Sequence, residues 1–407
     1  MTGELCFNIA KRLLSSFFPD SEMEIELNPG KEKLVTRSPG RISFKLNEDD
    51  SFRIVFRRKR NFTAEEEQIF NTFISFIQKK RSLEHDPYFM SILEILFPEF
   101  ISSFISKEDT IISKVIEKYI QLSEMTYEGR KISLSCIVEV NKESSGFNYI
   151  ELLENKSGPV LTNGLDTVFQ IGKNGGIKDF VYCETVGSSK EEESNDPSVP
   201  FRYLQIANKT NENRIAIILN KNDELIIIKN KNLLFTRRRG KWQYYESNVL
   251  YQNITSGNNQ PHSFLRKGVF LTALDISFSR SGGCIAIISD SKKELFDAMM
   301  LTKGANSQSF LGENVVQKFL KKKFYEIPRQ LRAEICGIDG AVILDQKGYI
   351  LYSGKIIPVE VTVESGARTA AAKTLAQFGI GIKVSMDGIA EAYISNGNEI
   401  EKIQTFC

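Results

Sequence analysis

The sequence is poor in the residues that usually announce a metal or a disulfide. Its 407 residues include two histidines, His85 and His262, and six cysteines, Cys6, Cys136, Cys183, Cys284, Cys336 and Cys407, with no Cys-x-x-Cys pair. That scatter lacks the ligand spacing of a zinc site and argues against a disulfide framework, so neither zinc nor haem is expected. Several cysteines sit in apolar runs such as Ser135-Cys136-Ile137-Val138, where a reduced thiol packs as a small hydrophobe. A surplus of one charge is lacking too. Lys and Arg number 53 against 51 Asp and Glu, and a net charge of +2 gives no global field to steer nucleic acid. Long hydrophobic runs are absent: the most apolar stretch, 88–105, is broken by Glu94, Pro98 and Glu99, short of the roughly 18 residues a bilayer span needs. The first apolar stretch carries Lys11 and Arg12 and meets no small-residue cleavage site, so no secretory leader is expected. No internal repeat or long low-complexity tract stands out. These absences together predict a cytoplasmic protein with reduced cysteines, without membrane or nucleic-acid partners.

What is present fits a multidomain globular chain of the α+β or α/β class. With 41% hydrophobic and 26% charged residues, its composition is near the soluble average, and its length suggests two or three domains. An N-terminal α+β module is expected over 1–125. Leu5, Ile9, Leu13 and Phe17 recur at helical spacing, and Asn28-Pro29-Gly30 and Ser38-Pro39-Gly40 mark turns beside alternating runs at 42–46 and 52–56. Thr63 with Glu66 three residues on forms a capping box ahead of a helix, and a second helical stretch covers about 87–123. A β-rich middle region is expected over 126–260, with strands at 132–140, 180–185, 214–219 and 225–229. The last two are almost wholly apolar and read as a hairpin buried on both faces. The acidic stretch Ser188 to Pro200 reads as a surface loop.

Two basic clusters each have two readings. Arg57-Arg58-Lys59-Arg60 can pin a phosphate backbone or an acidic partner, but with Glu65 to Glu67 just beyond it, a solvated strand end neutralised by neighbouring acids is the favoured account. Arg237-Arg238-Arg239-Gly240-Lys241 before Trp242, Tyr244 and Tyr245 interleaves cations with aromatics, as nucleotide sites do. The favoured account is a strand with an aromatic core face and a basic solvent face.

The chemistry concentrates in 264–402, where a mixed central β-sheet flanked by helices is expected. A helix carrying Leu271, Leu274 and Phe278 leads into the apolar strand Gly282 to Ile288, and a helical region is expected from Glu313 to Lys323. Asp339-Gly340-Ala341 then places a carboxylate at the mouth of another apolar strand, where it needs a partner or a cation. Gly366-Ala367-Arg368-Thr369-Ala370 opens an Ala-rich helix that ends near Gly379, and a helix N-terminus suits phosphate. Strands at 382–387 and 391–395 close the segment. The blander alternatives have Asp339 capping a turn and Arg368 pairing with Glu364 one helical turn back.

Gly283-Cys284-Ile285-Ala286-Ile287, Asp339-Gly340-Ala341, Glu364-Ser365-Gly366-Ala367-Arg368 and Val384-Ser385, followed by a terminal strand and Asn396-Gly397, stand in the order of the motifs of the bacterial diadenylate cyclase domain. The segment resembles that family over about a third of the chain. The resemblance implies a nucleotide ligand contacted by Gly283, Cys284, Ile285, Asp339, Gly340, Ala341, Gly366, Ala367, Arg368, Thr369 and Ser385. It also implies Mg²⁺ or Mn²⁺ held by Asp339, and a face-to-face homo-oligomer. The family's Gly-Thr-Arg-His-Arg motif is incomplete here: Ala367, Thr369 and Ala370 replace Thr, His and the second Arg. Each change removes or weakens a donor to phosphate, worth about 1.5–3 kcal/mol in binding and about a hundredfold or more in rate. The resemblance therefore implies a sensor for ATP or a cyclic nucleotide, similar to degenerate cyclase-derived domains of bacterial conflict systems, with a nucleotide-producing enzyme and an effector as partners. The alternatives are an active cyclase using Asp339, Arg368 and Lys321 to Lys323, and an interaction protein with a vestigial pocket.

Overall fold

The computed structural model describes residues 2–27, 33–106, 111–155, 157–183, 197–247, 263–303, 322–358, 366–397 and 399–406. The expected turn at Asn28 to Gly30, residues 188–196 of the expected surface loop, His262, Lys321, Glu364 and most of the 313–323 helix lie outside these residues. The loop's described end, 197–200, is buried and not on the surface. The chain is an α/β protein of mixed sheets flanked by helices. It divides into two compact units, 1–186 with 205–245 and 187–204 with 246–407.

In the first unit, strands β1 (Glu22–Leu27), β2 (Val35–Ser38), β3 (Arg41–Phe44) and β4 (Phe52–Arg57) form an antiparallel sheet in the order β1-β4-β3-β2. The helix Ala64–Lys79 starts on the expected capping box, with Thr63 and Glu66 satisfying each other's backbone N–H. The basic run beside it is only partly a solvated strand end. Arg57 pairs with Glu24 at the surface, but Arg58 is buried against Glu66 and stacks 3.7 Å over the Phe62 ring. Burial pushes the Arg58 guanidinium down to about 10 despite its carboxylate partner. The expected 87–123 stretch resolves into three helices, Phe89–Ile95, Phe97–Ile105 and Ile111–Ser123, with Pro98 in the first turn of the second, where its missing N–H costs nothing.

The same unit holds a small hairpin, β5 (Thr126–Tyr127) with β6 (Arg130–Lys131), and a seven-stranded sheet. Its strands are β7 (Leu134–Glu139), β8 (Thr167–Gly172), β9 (Ile177–Tyr182), β10 (Arg214–Leu219), β11 (Leu225–Lys229), β12 (Asn232–Arg238) and β13 (Lys241–Tyr244), in the order β13-β12-β11-β10-β7-β8-β9. As expected, β10 and β11 are buried on both faces. Residues of the expected N-terminal module and of the expected middle region share one hydrophobic core, from Cys6 to Trp242.

The second unit is built on a six-stranded sheet: β14 (Gly283–Ile288), β15 (Ala341–Asp345), β16 (Ile350–Lys355), β17 (Gly379–Val384), β18 (Ala390–Asn396) and β19 (Glu399–Phe406). Its order is β16-β15-β14-β17-β18-β19, with β14 and β15 parallel and every other pair antiparallel. Central β14 is wholly buried. Cys284, Ala286 and Ile288 pack with Ala372, Leu375 and Ala376 of the helix Ala367–Ala376. That helix is alanine-rich because it runs very close to the sheet: a Cβ at Gly381 would meet the Ala372 backbone. The helix Arg329–Gly337 comes equally close to β14, where a Cβ at Gly283 would lie 2.5 Å from the Cys336 carbonyl oxygen.

Among the described residues no helix is long and apolar enough to cross a membrane. The cysteines there are free and buried, and burial pushes the Cys6, Cys136 and Cys284 thiols up to about 12, which leaves them unreactive.

Candidate functional site

Three segments far apart in sequence meet at one end of this sheet. Parallel pairing sets Cys284 opposite Ala341, and antiparallel pairing sets Gly283 opposite Val384, so the entries to β14 and β15 and the exit of β17 lie side by side. The helix Ala367–Ala376 starts at the same end and carries Arg368 across it. The Arg368 guanidinium lies on Gly282, where a Cβ would be 2.9 Å from its Cζ, and reaches to 4.0 Å from the Asp339 carboxylate. Gly282 has φ +69°, a left-handed conformation that glycine adopts without strain.

Asp339 sits on a turn fixed by backbone alone. Gly340, at φ +100°, rests against Gly354 of β16, itself at φ +67°, and a Cβ on Gly340 would lie 2.8 Å from the Lys355 nitrogen. The β15–β16 register shifts at this point, so the close approach absorbs a bulge. The Asp339 carboxylate is fully exposed and, among the described residues, accepts no hydrogen bond. It therefore does not cap the turn. Arg368 is about one-third exposed and likewise has only the long contact to Asp339 among those residues, its alternative partner Glu364 lying outside them.

The other expected ligand residues are placed differently. Cys284, Ile285 and Ala341 are buried strand residues whose side chains face the core, and Gly283 is covered by the Cys336 carbonyl. Gly366 has no described residue within 4 Å of the place a Cβ would take, and Ala367 beside it is exposed. Thr369 is partly exposed in the first turn, its amide bonded to the Gly366 carbonyl. Ser385 lies at the right end of the sheet, but its hydroxyl donates to the Ile389 carbonyl at 2.8 Å and closes the β17–β18 turn. In the same turn the Asp387 carboxylate accepts from the Ile389 N–H, and its carbonyl accepts from Arg280.

Sequence reasoning missed the cleft beside this cluster. A cavity of about 790 Å³ is walled by Ser281, Gly337 and Ile338, the residues next to Gly282 and Asp339, with Phe201 and Phe278 supplying apolar surface. Its far wall is tied down by a buried pair: Arg329 donates to both oxygens of Asp275, at 2.6 and 2.8 Å, and also to the Val199 carbonyl, while Asp275 accepts from the Phe201 N–H at 2.7 Å. No local pattern marks these residues, because the cleft arises only where three separate segments meet.

No family model and no curated protein matches the chain. Among solved structures it is similar to a crystal structure of DacA from Staphylococcus aureus, a double mutant, at 16% identity. The likeness covers 34% of this chain and 86% of that one, with a TM-score of 0.25. A likeness at that score carries no argument about function.

Among the described residues no three His, Cys, Asp or Glu side chains converge, so a divalent cation would find at most two protein ligands of these types here. That suits a cation whose remaining ligands are phosphate oxygens and water, and does not suit a cage made wholly by protein.

Proposed function

We propose that residues 264–402 form a nucleotide-binding domain of the diadenylate cyclase type that binds ATP or a cyclic nucleotide and acts as a sensor. The observation that supports this most directly is the meeting of Gly282, Asp339 and Arg368 at one sheet end, with Arg368 over the glycine and 4.0 Å from the aspartate. A phosphate entering there replaces the long Asp339 contact with charge-assisted hydrogen bonds from Arg368. The helix N-terminus adds free N–H groups and the positive end of its dipole. A Mg²⁺ or Mn²⁺ carried in with the phosphates is held by Asp339. The neighbouring cleft of about 790 Å³ has the size for a nucleoside.

Binding outlasts catalysis in this arrangement. One guanidinium anchors a phosphate, but cyclisation needs further donors where charge develops, and Ala367, Thr369 and Ala370 stand in the positions that would provide them. Calorimetry of the full chain against ATP and cyclic di- and oligonucleotides tests the reading. Micromolar binding, about −8 kcal/mol, is expected for at least one of them, and Arg368→Glu should remove it. Asp339→Asn should remove the part of ATP affinity that depends on Mg²⁺. Absence of micromolar binding to every nucleotide would overturn the proposal. Incubation with ATP and Mn²⁺ followed by mass spectrometry should yield no cyclic dinucleotide above the Asp339→Asn level.

A further inference from the structure

The cleft beside the Arg368 cluster is completed by a stretch of chain from outside 264–402. Residues 187–204 belong to the second unit, although the chain before and after them belongs to the first. The described part of this strap is held firmly. Arg329 donates to the Val199 carbonyl, Asp275 accepts from the Phe201 N–H at 2.7 Å, and the Tyr203 ring meets the Phe278 ring edge-on at 6.4 Å. Val199 and Tyr203 are fully buried. Pro200, Phe201 and Arg202 then form one wall of the cleft, and the helix Arg329–Gly337 forms another. Both walls open to solvent, at Arg202 on one and at Gln330 and Glu334 on the other.

The cleft has two ends. Arg329, which holds Val199, and Gly337, which lies beside Ser281, are the first and last residues of one helix, so roughly 12 Å of helix separates the strap from the entry to β14. Arg202 stands at the strap end, and Arg368, over Gly282, stands beyond the other. Between them the helix turns Gln330 and Glu334, one turn apart, to the cleft. The side chains of Arg202, Gln330 and Glu334 make no hydrogen bond or ion pair among the described residues, whereas Asp275, the other carboxylate of the cleft, is spent on Arg329. The order along the cleft is thus cation, amide, carboxylate, cation. Its volume of about 790 Å³ lies in the upper part of the roughly 300–1,000 Å³ usual for small-molecule sites, which favours a ligand larger than a mononucleotide.

Resting on the nucleotide-site reading above, we infer that Arg202 is a specificity-determining residue of that site, and that the preferred ligand carries two phosphates set apart by a nucleoside, as a dinucleotide does. One phosphate takes Arg368 and the other takes the uncommitted guanidinium of Arg202. Between them, ribose hydroxyl and base amino groups donate to Glu334 and to the Gln330 carbonyl. The triphosphate of ATP gathers its charge at one end, where it meets a single cation and is repelled by Glu334. Residues 264–402 by themselves therefore hold only half of the recognition surface, because the second cation comes from the strap.

Calorimetry of the full chain with cyclic diadenylate, linear diadenylate carrying a 5′-phosphate, ATP and AMP tests this. At least one dinucleotide should bind about tenfold or more tightly than ATP, and which of the two does so tells a cyclic from a linear ligand. Arg202→Ala, at an exposed position, should weaken that dinucleotide about tenfold or more, and about fivefold or more beyond any effect on AMP. Arg202→Lys should recover part of the loss, and Glu334→Gln should tighten ATP and narrow its gap to the dinucleotide. If Arg202→Ala weakens the dinucleotides no more than AMP, or if ATP binds more tightly than both dinucleotides, the inference is overturned while a site abolished by Arg368→Glu still stands. Absence of binding by all four ligands would overturn the site itself, and this inference with it.

Discussion

Gly282→Ala is the sharpest probe of the Arg368 cluster, because it adds one methyl group at a defined place. The new Cβ would lie 2.9 Å from both Cζ and Nη1 of Arg368, closer than real Cβ contacts allow, so the guanidinium must leave its seat. The backbone there is left-handed, at φ +69°, which costs an alanine about 1–2 kcal/mol. In a unit of this size that loss lowers the melting temperature by roughly 2–8 °C. Under the proposed function, displacing the Arg368 guanidinium removes a charge-assisted bond to phosphate worth about 1.5–3 kcal/mol, a fall in affinity of roughly ten- to a hundredfold. The control is Gly366→Ala in the same site. That position has φ −54°, and an added methyl group meets no described residue within 4 Å. A gain of about 0.4–1 kcal/mol in chain stiffness is there offset by a weaker helix cap, so stability and affinity should both stay near the parent. Thermal melts and calorimetry with the same nucleotide read both variants. If Gly282→Ala loses stability but binds as tightly as Gly366→Ala, Arg368 does not act from its seat on Gly282 and the account of the site is wrong.

Other outcomes follow from single contacts. Asp275→Ala strips the buried Arg329 of its carboxylate and should cost about 3–5 kcal/mol in urea unfolding of the full chain, whereas an exposed-pair variant such as Glu94→Ala should cost under about 1 kcal/mol. Glu391 should make the second unit acid-sensitive. Burial alone raises its carboxyl, but hydrogen bonds from Lys383 and Tyr393 and the charges of Lys383 and Lys402 outweigh this and hold it below the usual range. Its contribution is therefore present above the unfolded value of about 4.3 and is lost as pH falls through the lower folded value. Glu391→Gln should lower stability at neutral pH and flatten the acid limb of a stability-against-pH curve; an unchanged acid limb would contradict this.

How much was legible in the sequence depended on how local the cause was. Strands β10 and β11 have the expected limits, because two unbroken apolar runs flank a polar turn. The capping box at Thr63 is equally local. Gly379 misleads for a reason that is not local. It reads as the stop of the Ala-rich helix, yet it begins β17 three residues before the expected strand, because the backbone around Ile287 and Ser289 leaves no room for a side chain. Strand β8 joins the sheet as the parallel partner of β7, a pairing that no pattern within 167–172 announces. In the site, the order of the glycine, aspartate and arginine segments was readable, and their meeting is a matter of register. The commitment of Ser385 to its own turn, and the cleft at Phe201 and Phe278, depend on tertiary neighbours and were not readable.

The contact between Gly340 and Gly354 separates chemistry from folding at this turn. Main chain presses on main chain there, while the carboxylate of Asp339 holds nothing in the fold together. A lineage can therefore exchange that acid for another residue without unravelling the scaffold. A changed glycine at 340 would instead force the two strands apart. Under the proposed function, the residue assigned to ligand chemistry is thus the freest to drift, and its mute neighbour the least.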